Sequence, residues 1–153
     1  GTESEEKVLY INRCSKLVKG GRKFSFSALI LIGDGQGHVG YGFAKANEVS
    51  DAIRKGSEAA RKNIYTVEFE GSTIPHEVYV ECDGAKVLMK PAPQGTGIIA
   101  GSKVRSVLEL AGVKDIRAKN LGSTNPLNQV KATFKALTQL KNRDQCIAER
   151  KGV

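Results

Sequence analysis

Five basic side chains, Arg13, Lys16, Lys19, Arg22 and Lys23, lie within one short stretch with no acid among them, interspersed with Ser15, Gly20 and Gly21. Ammonium and guanidinium groups at this density do one kind of chemistry well. Each contact with a polyanion releases a condensed counterion, and arginine adds forked hydrogen bonds to phosphate oxygens. Lys19-Gly20-Gly21-Arg22-Lys23 reads as a hairpin tip, because two glycines permit a tight turn and carry the charges on a point able to enter a groove. A second basic set, Arg54 and Lys55 with Arg61 and Lys62, falls on the polar side of a helical pattern. If the whole protein neutralises about six phosphates, its affinity should fall roughly a thousandfold between 50 and 200 mM salt.

Catalytic material is sparse by comparison. Gly35-Gln36-Gly37-His38-Val39-Gly40 fits the dinucleotide pattern G-x-G-x-x-G, but that motif needs a helix N-terminus after it to hold the pyrophosphate, and here a strand follows. A hairpin turn is expected instead. Gly95-Thr96-Gly97-Ile98-Ile99-Ala100-Gly101 is a better anion candidate, since its glycines can turn backbone N–H groups inward and a helix begins at once. It lacks the Walker spacing, because Lys103 follows Ser102 rather than preceding it, so an RNA phosphate or a protein interface suits it better than triphosphate chemistry. The two histidines, His38 and His76, stand near no nucleophile motif. The cysteines, Cys14, Cys82 and Cys146, are more than sixty residues apart, unlike the paired ligands of a zinc site or a disulfide framework. No cofactor and no metal are expected.

The distribution of charge points the same way. Of 153 residues, 24 are Lys or Arg and 16 are Asp or Glu, a formal net charge of +8. Residues 64–85 carry five acids and no Lys or Arg, whereas residues 86–143 carry eleven Lys or Arg against Glu109 and Asp115. Segregation of this kind costs self-repulsion, which a polyanionic partner relieves. The longest strongly apolar run, Ala28 to Ile32, is five residues, far short of the roughly 20 that span a bilayer. The acidic start, Gly1-Thr2-Glu3-Ser4-Glu5-Glu6, does not have the form of a secretory signal. A reducing cytosol and no membrane partner are the expectation.

The elements that must position these residues follow from period and punctuation. Val8 to Val18 reads as a strand, and a second runs from Phe24 through the apolar run to the glycine turn at Gly33. In the third, His38 to Ala46, bulky Val39, Tyr41 and Phe43 alternate with Gly40, Gly42 and Ala44, so one face admits a close neighbour. Val49 to Asn63 changes to helical period, with Val49, Ile53, Gly56 and Ala60 as the inward stripe, and Tyr65 to Glu70 reads as a short strand. Gly71-Ser72-Thr73-Ile74-Pro75 is the linker signal. Beyond it come a hairpin about Asp83-Gly84, a helix with Ser102 as N-cap and Gly112 as stop, a strand from Asp115 to Leu121, and a helix capped by Asn125 with Pro126 first. The fold class is α+β in two small domains, residues 1–73 and 74–143, followed by a polar tail, 144–153.

Four strings in order, Val18-Lys19-Gly20-Gly21-Arg22-Lys23-Phe24, Gly33-Asp34-Gly35 through Gly37-His38-Val39-Gly40-Tyr41-Gly42, Gly95 through Gly101, and Gly122-Ser123-Thr124-Asn125-Pro126, resemble the ribosomal protein S-five family of the small subunit in its bacterial form. The likeness runs from about Lys7 to Leu140, with Ser102 and Lys103 standing where related sequences often have Gly and Pro. It implies an N-terminal domain like a double-stranded-RNA-binding domain without its first helix, and a C-terminal βαβ domain. It also implies a non-enzymatic, cytoplasmic ribosome component that is not a homo-oligomer. Such a protein binds 16S rRNA, aids assembly and decoding accuracy, meets ribosomal proteins S-four and S-eight, and lies near the channel by which mRNA enters. Carried over by position, Ser15 and Lys19, Gly20, Gly21 and Arg22 match the family loop beside the rRNA helix targeted by spectinomycin, so changes at Ser15 or Gly21 are expected to affect the drug response; Arg13, Lys16 and Lys23, with Arg54 and Lys55, join the expected rRNA side on charge alone. Gly95, Gly97 and Arg105 are the S-four side. Two rival readings are a free double-stranded-RNA-binding regulator and a small-molecule kinase relative using the Gly95 to Gly101 loop.

Overall fold

The computed structural model describes residues 4–140; the polar tail at 144–153 and Cys146 lie outside the described residues. The element order is β1 (Glu5–Val18), β2 (Gly21–Gly33), β3 (His38–Ala46), α1 (Val49–Lys62), β4 (Ile64–Thr66), β5 (Val78–Cys82), β6 (Ala85–Pro91), β7 (Ile98–Ile99), α2 (Ser102–Ala111), β8 (Ile116–Asn120) and α3 (Pro126–Thr138). Two four-stranded sheets result, in the orders β1-β2-β3-β4 and β5-β6-β8-β7. The first is antiparallel throughout. In the second, β7 and β8 run parallel with α2 between them, which is the βαβ unit within an α+β chain.

The continuous apolar run of β2 has a simple cause. Ala28 and Ile30 pack toward Ala52 of α1, while Leu29 and Leu31 on the opposite parity enter the main core. A strand buried on both faces has no polar side to alternate with. The main core is one cluster that takes in Leu29, Leu31 and Val39 from the first sheet, Val87, Met89 and Ile116 from the second, and Val107, Leu108, Phe134 and Leu137 from α2 and α3. Phe134 of α3 closes it against Tyr41 of β3 and Tyr65 of β4, with ring centroids 4.8 and 5.2 Å apart.

Helix α1 seats on β3 where the side chains vanish. A Cβ on Gly42 would collide with the carbonyl of Gly56, and one on Gly40 would meet the carbonyl oxygens of Asn63 and Ala60. The close-approach face expected from Gly40 and Gly42 is therefore the seat of α1. Its buried residues are Ala52, Gly56, Ser57 and Ala60. Val49 and Ile53, expected on the inward stripe, are only half-buried, because the backbone-to-backbone approach leaves space for small residues and turns the larger ones to the rim.

Two further expectations are corrected. Ser102 is the first residue of α2 rather than its cap; Gly101 takes the cap position with no side-chain hydrogen bond. The strand expected from Tyr65 to Glu70 is confined to Ile64–Thr66, and Glu70 instead bridges Thr73 across a turn. At the other end of α2, Gly112 stops the helix in the left-handed region at φ 98°, and Asn125 caps α3 by accepting from the Leu127 and Asn128 amides.

The segment expected as a linker is strapped to the second sheet's loops. The Ser72 carbonyl accepts from the Lys114 and Asp115 amides, each at 3.0 Å, the Thr73 hydroxyl oxygen accepts from the Ala92 amide, and Ile74 is buried.

Candidate nucleic-acid interface

Strand β3 pairs with β2 only from Phe26 to Gly33, whereas β1 accompanies β2 to its far end at Gly21. Beyond Phe26 the hairpin is thus a two-stranded ribbon extending past the sheet, and residues 11–17 and 19–24 are exposed. Gly20 at φ 99° and Gly21 at φ 135° make the tip, a backbone that side-chain-bearing residues rarely adopt.

Opposed residues in an antiparallel pair share a face, so the register sorts the ribbon's chemistry. Arg13, Ser15, Leu17, Arg22, Phe24 and Phe26 fall on one face, from the pairs Arg13 with Phe26, Ser15 with Phe24 and Leu17 with Arg22. The Arg13 guanidinium lies 3.9 Å from the centroid of the Phe24 ring, and Leu17 is 81% exposed. Leu17 lies opposite Arg22, and the row Arg13, Phe24, Leu17 and Arg22 makes this face a mixed basic and apolar one. Cys14, Lys16, Lys23 and Ser25 fall on the other face, where Lys16 is paired with Lys23. Arginine with an aromatic and an aliphatic group suits stacking and forked hydrogen bonds, and the lysine face supplies point charges for phosphates. Leu17 and the exposure of Phe24 were not singled out in the sequence, where alternation marks a strand but not how far it outruns its neighbour.

The other expected positions divide. On α1, Arg54 lies 3.6 Å from both Asp51 and Glu58, and Arg61 is 2.6 Å from Glu6 of β1. Lys55 is exposed and enters no ion pair among the described residues. The basic face of α1 is therefore partly neutralised by its own chain, in contrast to the ribbon. Arg105 is exposed on α2 and held by Glu109 one turn on, at 2.8 Å.

The Gly95 to Gly101 loop already holds an anion, one belonging to the protein. Asp115 Oδ1 accepts from the Gly95 amide at 3.1 Å and the Gly97 amide at 2.8 Å. A hydrogen bond from the Ser72 side chain, then those from Gly97 and Gly95, hold the buried Asp115 carboxyl below the usual carboxylate range, with Lys114 assisting, although burial opposes them. These inward N–H groups are committed, so the phosphate contact considered for them from the sequence is not available. A cavity of about 570 Å³ lies beside the start of α2, lined by Gly101, Ser102, Lys103 and Lys119 among others; Lys103 itself donates to the Leu9 carbonyl and sits near the Tyr10 ring.

The G-x-G-x-x-G segment is likewise occupied. The Gly35 and Gly37 amides donate to the Leu110 and Ala111 carbonyls, completing the C-terminus of α2 from the opposite sheet. Burial pushes the Asp34 carboxyl up, but hydrogen bonds from the Gln36 amide and from the His38 ring and amide outweigh it and leave it below its ordinary value. His38 is thus part of the turn, its Nδ1 2.7 Å from Asp34. His76 Nδ1 is 2.9 Å from the Glu77 carbonyl. Among the described residues no group of His, Cys, Asp and Glu side chains could hold a metal ion, and no helix is long and apolar enough to cross a membrane.

Comparison with known proteins gives two family matches. Residues 4–68 match "Ribosomal protein S5, N-terminal domain" and residues 80–150 match "Ribosomal protein S5, C-terminal domain". Among similar chains named "Small ribosomal subunit protein uS5", that of Protochlamydia amoebophila is 74% identical over 148 residues, covering 97% of this chain and 88% of the relative. That of Chlamydia abortus is 68% identical over 148 residues, covering 96% and 90%. That of Chlamydia trachomatis serovar D is 65% identical over 147 residues, covering 95% and 89%.

Proposed function

The chain belongs to the ribosomal protein S5 family, structural and non-enzymatic proteins of the small ribosomal subunit, and from that premise we propose that it binds 16S rRNA chiefly through the β1–β2 ribbon. The observation that carries this reading is the ribbon itself: Arg13, Lys16, Lys19, Arg22 and Lys23 project past the sheet with no acid among them. Because the two strands already pair, the backbone that carries these charges is ordered before RNA closes on it, and the ordering cost falls on the side chains. Ser15, Gly20 and Gly21 belong to the same contact. Changes at Ser15 or Gly21 are expected to alter the spectinomycin response by moving the ribbon against its RNA helix, and Lys55 with Arg54 forms a weaker, flanking contact.

A protein face comprises Gly95, Gly97 and Arg105 and meets S-four, while S-eight and the mRNA near its channel are further neighbours within the cytoplasmic ribosome. Residues 1–73 and 74–143 serve as the two domains, a division supported by the gap between the family matches. An effect on decoding accuracy follows if the S-four contact is better made in one state of the subunit than in the other. Arg105→Glu would then raise or lower misreading while assembly continues; failed assembly with normal misreading overturns that assignment.

The test of the main reading is sedimentation of the native protein through a sucrose gradient together with binding of the purified chain to 16S rRNA. Co-migration with 30S particles and an affinity that falls roughly a thousandfold between 50 and 200 mM salt are expected. A protein found mainly off ribosomes is instead the free RNA-binding regulator.

A further inference from the structure

Gly97 is held from both sides by two consecutive residues at the entry to β8. Its amide donates to Asp115 Oδ1 at 2.8 Å, and its carbonyl accepts from the Ile116 amide at 3.0 Å. The Gly95 amide donates to the same Oδ1 at 3.1 Å. Between the two glycines, the Thr96 amide and hydroxyl both donate to the Pro93 carbonyl, at 3.1 and 2.7 Å, so the turn also closes on itself.

The glycines stand here for their backbone and not for want of room. Gly95 has φ 94° and Gly97 φ 76°, and a Cβ added at either would meet nothing within 4 Å. Positive φ is what aims both amides at one carboxylate oxygen. Such charge-assisted contacts are roughly twice as strong as their neutral counterparts. Asp115 is buried, whereas Gly95 is exposed and Gly97 half-buried. The carboxylate thus stands behind the loop and fixes its outward shape without being part of the outward surface. Ser72, in the segment between the two sheets, steadies it in turn: its hydroxyl donates to the Asp115 carboxylate and its carbonyl accepts from the Asp115 amide.

We infer that Asp115 is the positioning residue of the Gly95 to Gly101 loop, holding it in the shape that meets S-four, with Ser72 as a second support. The inference rests on the reading of this loop as the S-four side and names the residues that hold it from behind. Without the carboxylate, two inward amides lose their acceptor, and two glycines are free to sample both signs of φ. A loop that visits its bound shape one time in ten binds about tenfold more weakly, although none of its contacting atoms has changed. Asp115→Asn still offers an oxygen to both amides, so it keeps the loop's shape while losing the charge.

The experiment separates positioning from stability and from the S-four reading itself. Full-length chains carrying Asp115→Ala, Asp115→Asn, Ser72→Ala or Arg105→Glu are titrated with purified S-four. Amide hydrogen exchange is followed over residues 93–99 in each, with circular dichroism as the check on folding. Asp115→Ala is expected to weaken S-four binding about tenfold and to speed exchange at Gly95 and Gly97, while exchange in β2 stays as in the unmodified chain. Asp115→Asn is expected to bind S-four like the unmodified chain despite its lower stability at neutral pH. Ser72→Ala falls between, and carries the same two readouts if Asp115→Ala does not fold. Affinities that simply follow the melting temperatures of the variants overturn the positioning role. So does exchange at Gly95 and Gly97 that stays slow in Asp115→Ala, or S-four binding that Arg105→Glu impairs and Asp115→Ala does not; both leave the S-four reading intact. If exchange at the two glycines rises in Asp115→Ala but neither that variant nor Arg105→Glu alters S-four binding, Asp115 still positions the loop and the S-four reading is lost.

Discussion

Lys16 and Lys23 are direct partners across the β1–β2 ribbon, on the same face and with no acid beside them. Like charges placed opposite each other destabilise a strand pair by about 0.2–1 kcal/mol, so this pairing is a cost borne by the isolated chain. Lys23→Glu should therefore stabilise the protein alone by an amount in that range while weakening its affinity for 16S rRNA. Thermal unfolding and a binding titration on the same preparation check both signs; a variant that gains stability and keeps full affinity would remove the ribbon from the interface.

Asp115 couples the Gly95 to Gly101 loop to acidity. Its carboxyl is held below the ordinary aspartate value of about 3.9 by the Ser72 side chain and the Gly97 and Gly95 amides. A depressed folded-state value means that the unfolded chain takes up the proton first. The stabilisation is complete above the unfolded value and is lost as pH falls through the lower, folded one. Asp115→Asn keeps an acceptor oxygen but loses the charge, so it should lower stability at neutral pH and flatten the decline below about pH 4. Urea unfolding midpoints for the two proteins at neutral and acidic pH provide the comparison. Parallel pH curves would show that Asp115 is not the group responsible.

Much of this arrangement is legible in the amino-acid sequence. The alternation of Gly40 and Gly42 with Val39, Tyr41 and Phe43 announced a close approach, and the helix that makes it is the next element. Asn125-Pro126 and Gly112 fixed helix ends because capping is local chemistry. The commitment of the Gly95 and Gly97 amides to Asp115 was not legible, since the partner lies eighteen to twenty residues away and only the sheet brings it near. The same holds for Gly35 and Gly37 at the end of α2, and for the pairing of Arg54 with Asp51 and Glu58, where helical spacing permits an ion pair without saying that it forms.

Gly42→Ala tests how tightly α1 is seated. The added Cβ would run into the Gly56 carbonyl and the Ala60 amide, both main-chain groups of the helix that cannot rotate aside. Overpacking of this kind costs about 1–3 kcal/mol. A fall in the melting temperature is expected, with affinity for 16S rRNA unchanged once the protein is kept folded at low temperature. Unchanged stability would mean that α1 shifts on β3 at no cost.

Phe134 is one of the side chains through which the two sheets share one core: it belongs to α3, is 2% exposed, and packs on Tyr41 and Tyr65 of the first sheet. Truncating a buried phenylalanine costs about 3–5 kcal/mol through lost transfer energy and the cavity left behind. If the halves were independent, Phe134→Ala would loosen the second and leave the first to melt as before. The main core instead runs without a break from Leu29 to Leu140, and the Gly35 and Gly37 amides complete α2 from the other sheet. Phe134→Ala should therefore lower the melting temperature of both sheets together, with one calorimetric transition before and after. Two separated transitions, in either protein, would show that the halves unfold as independent units despite their common core.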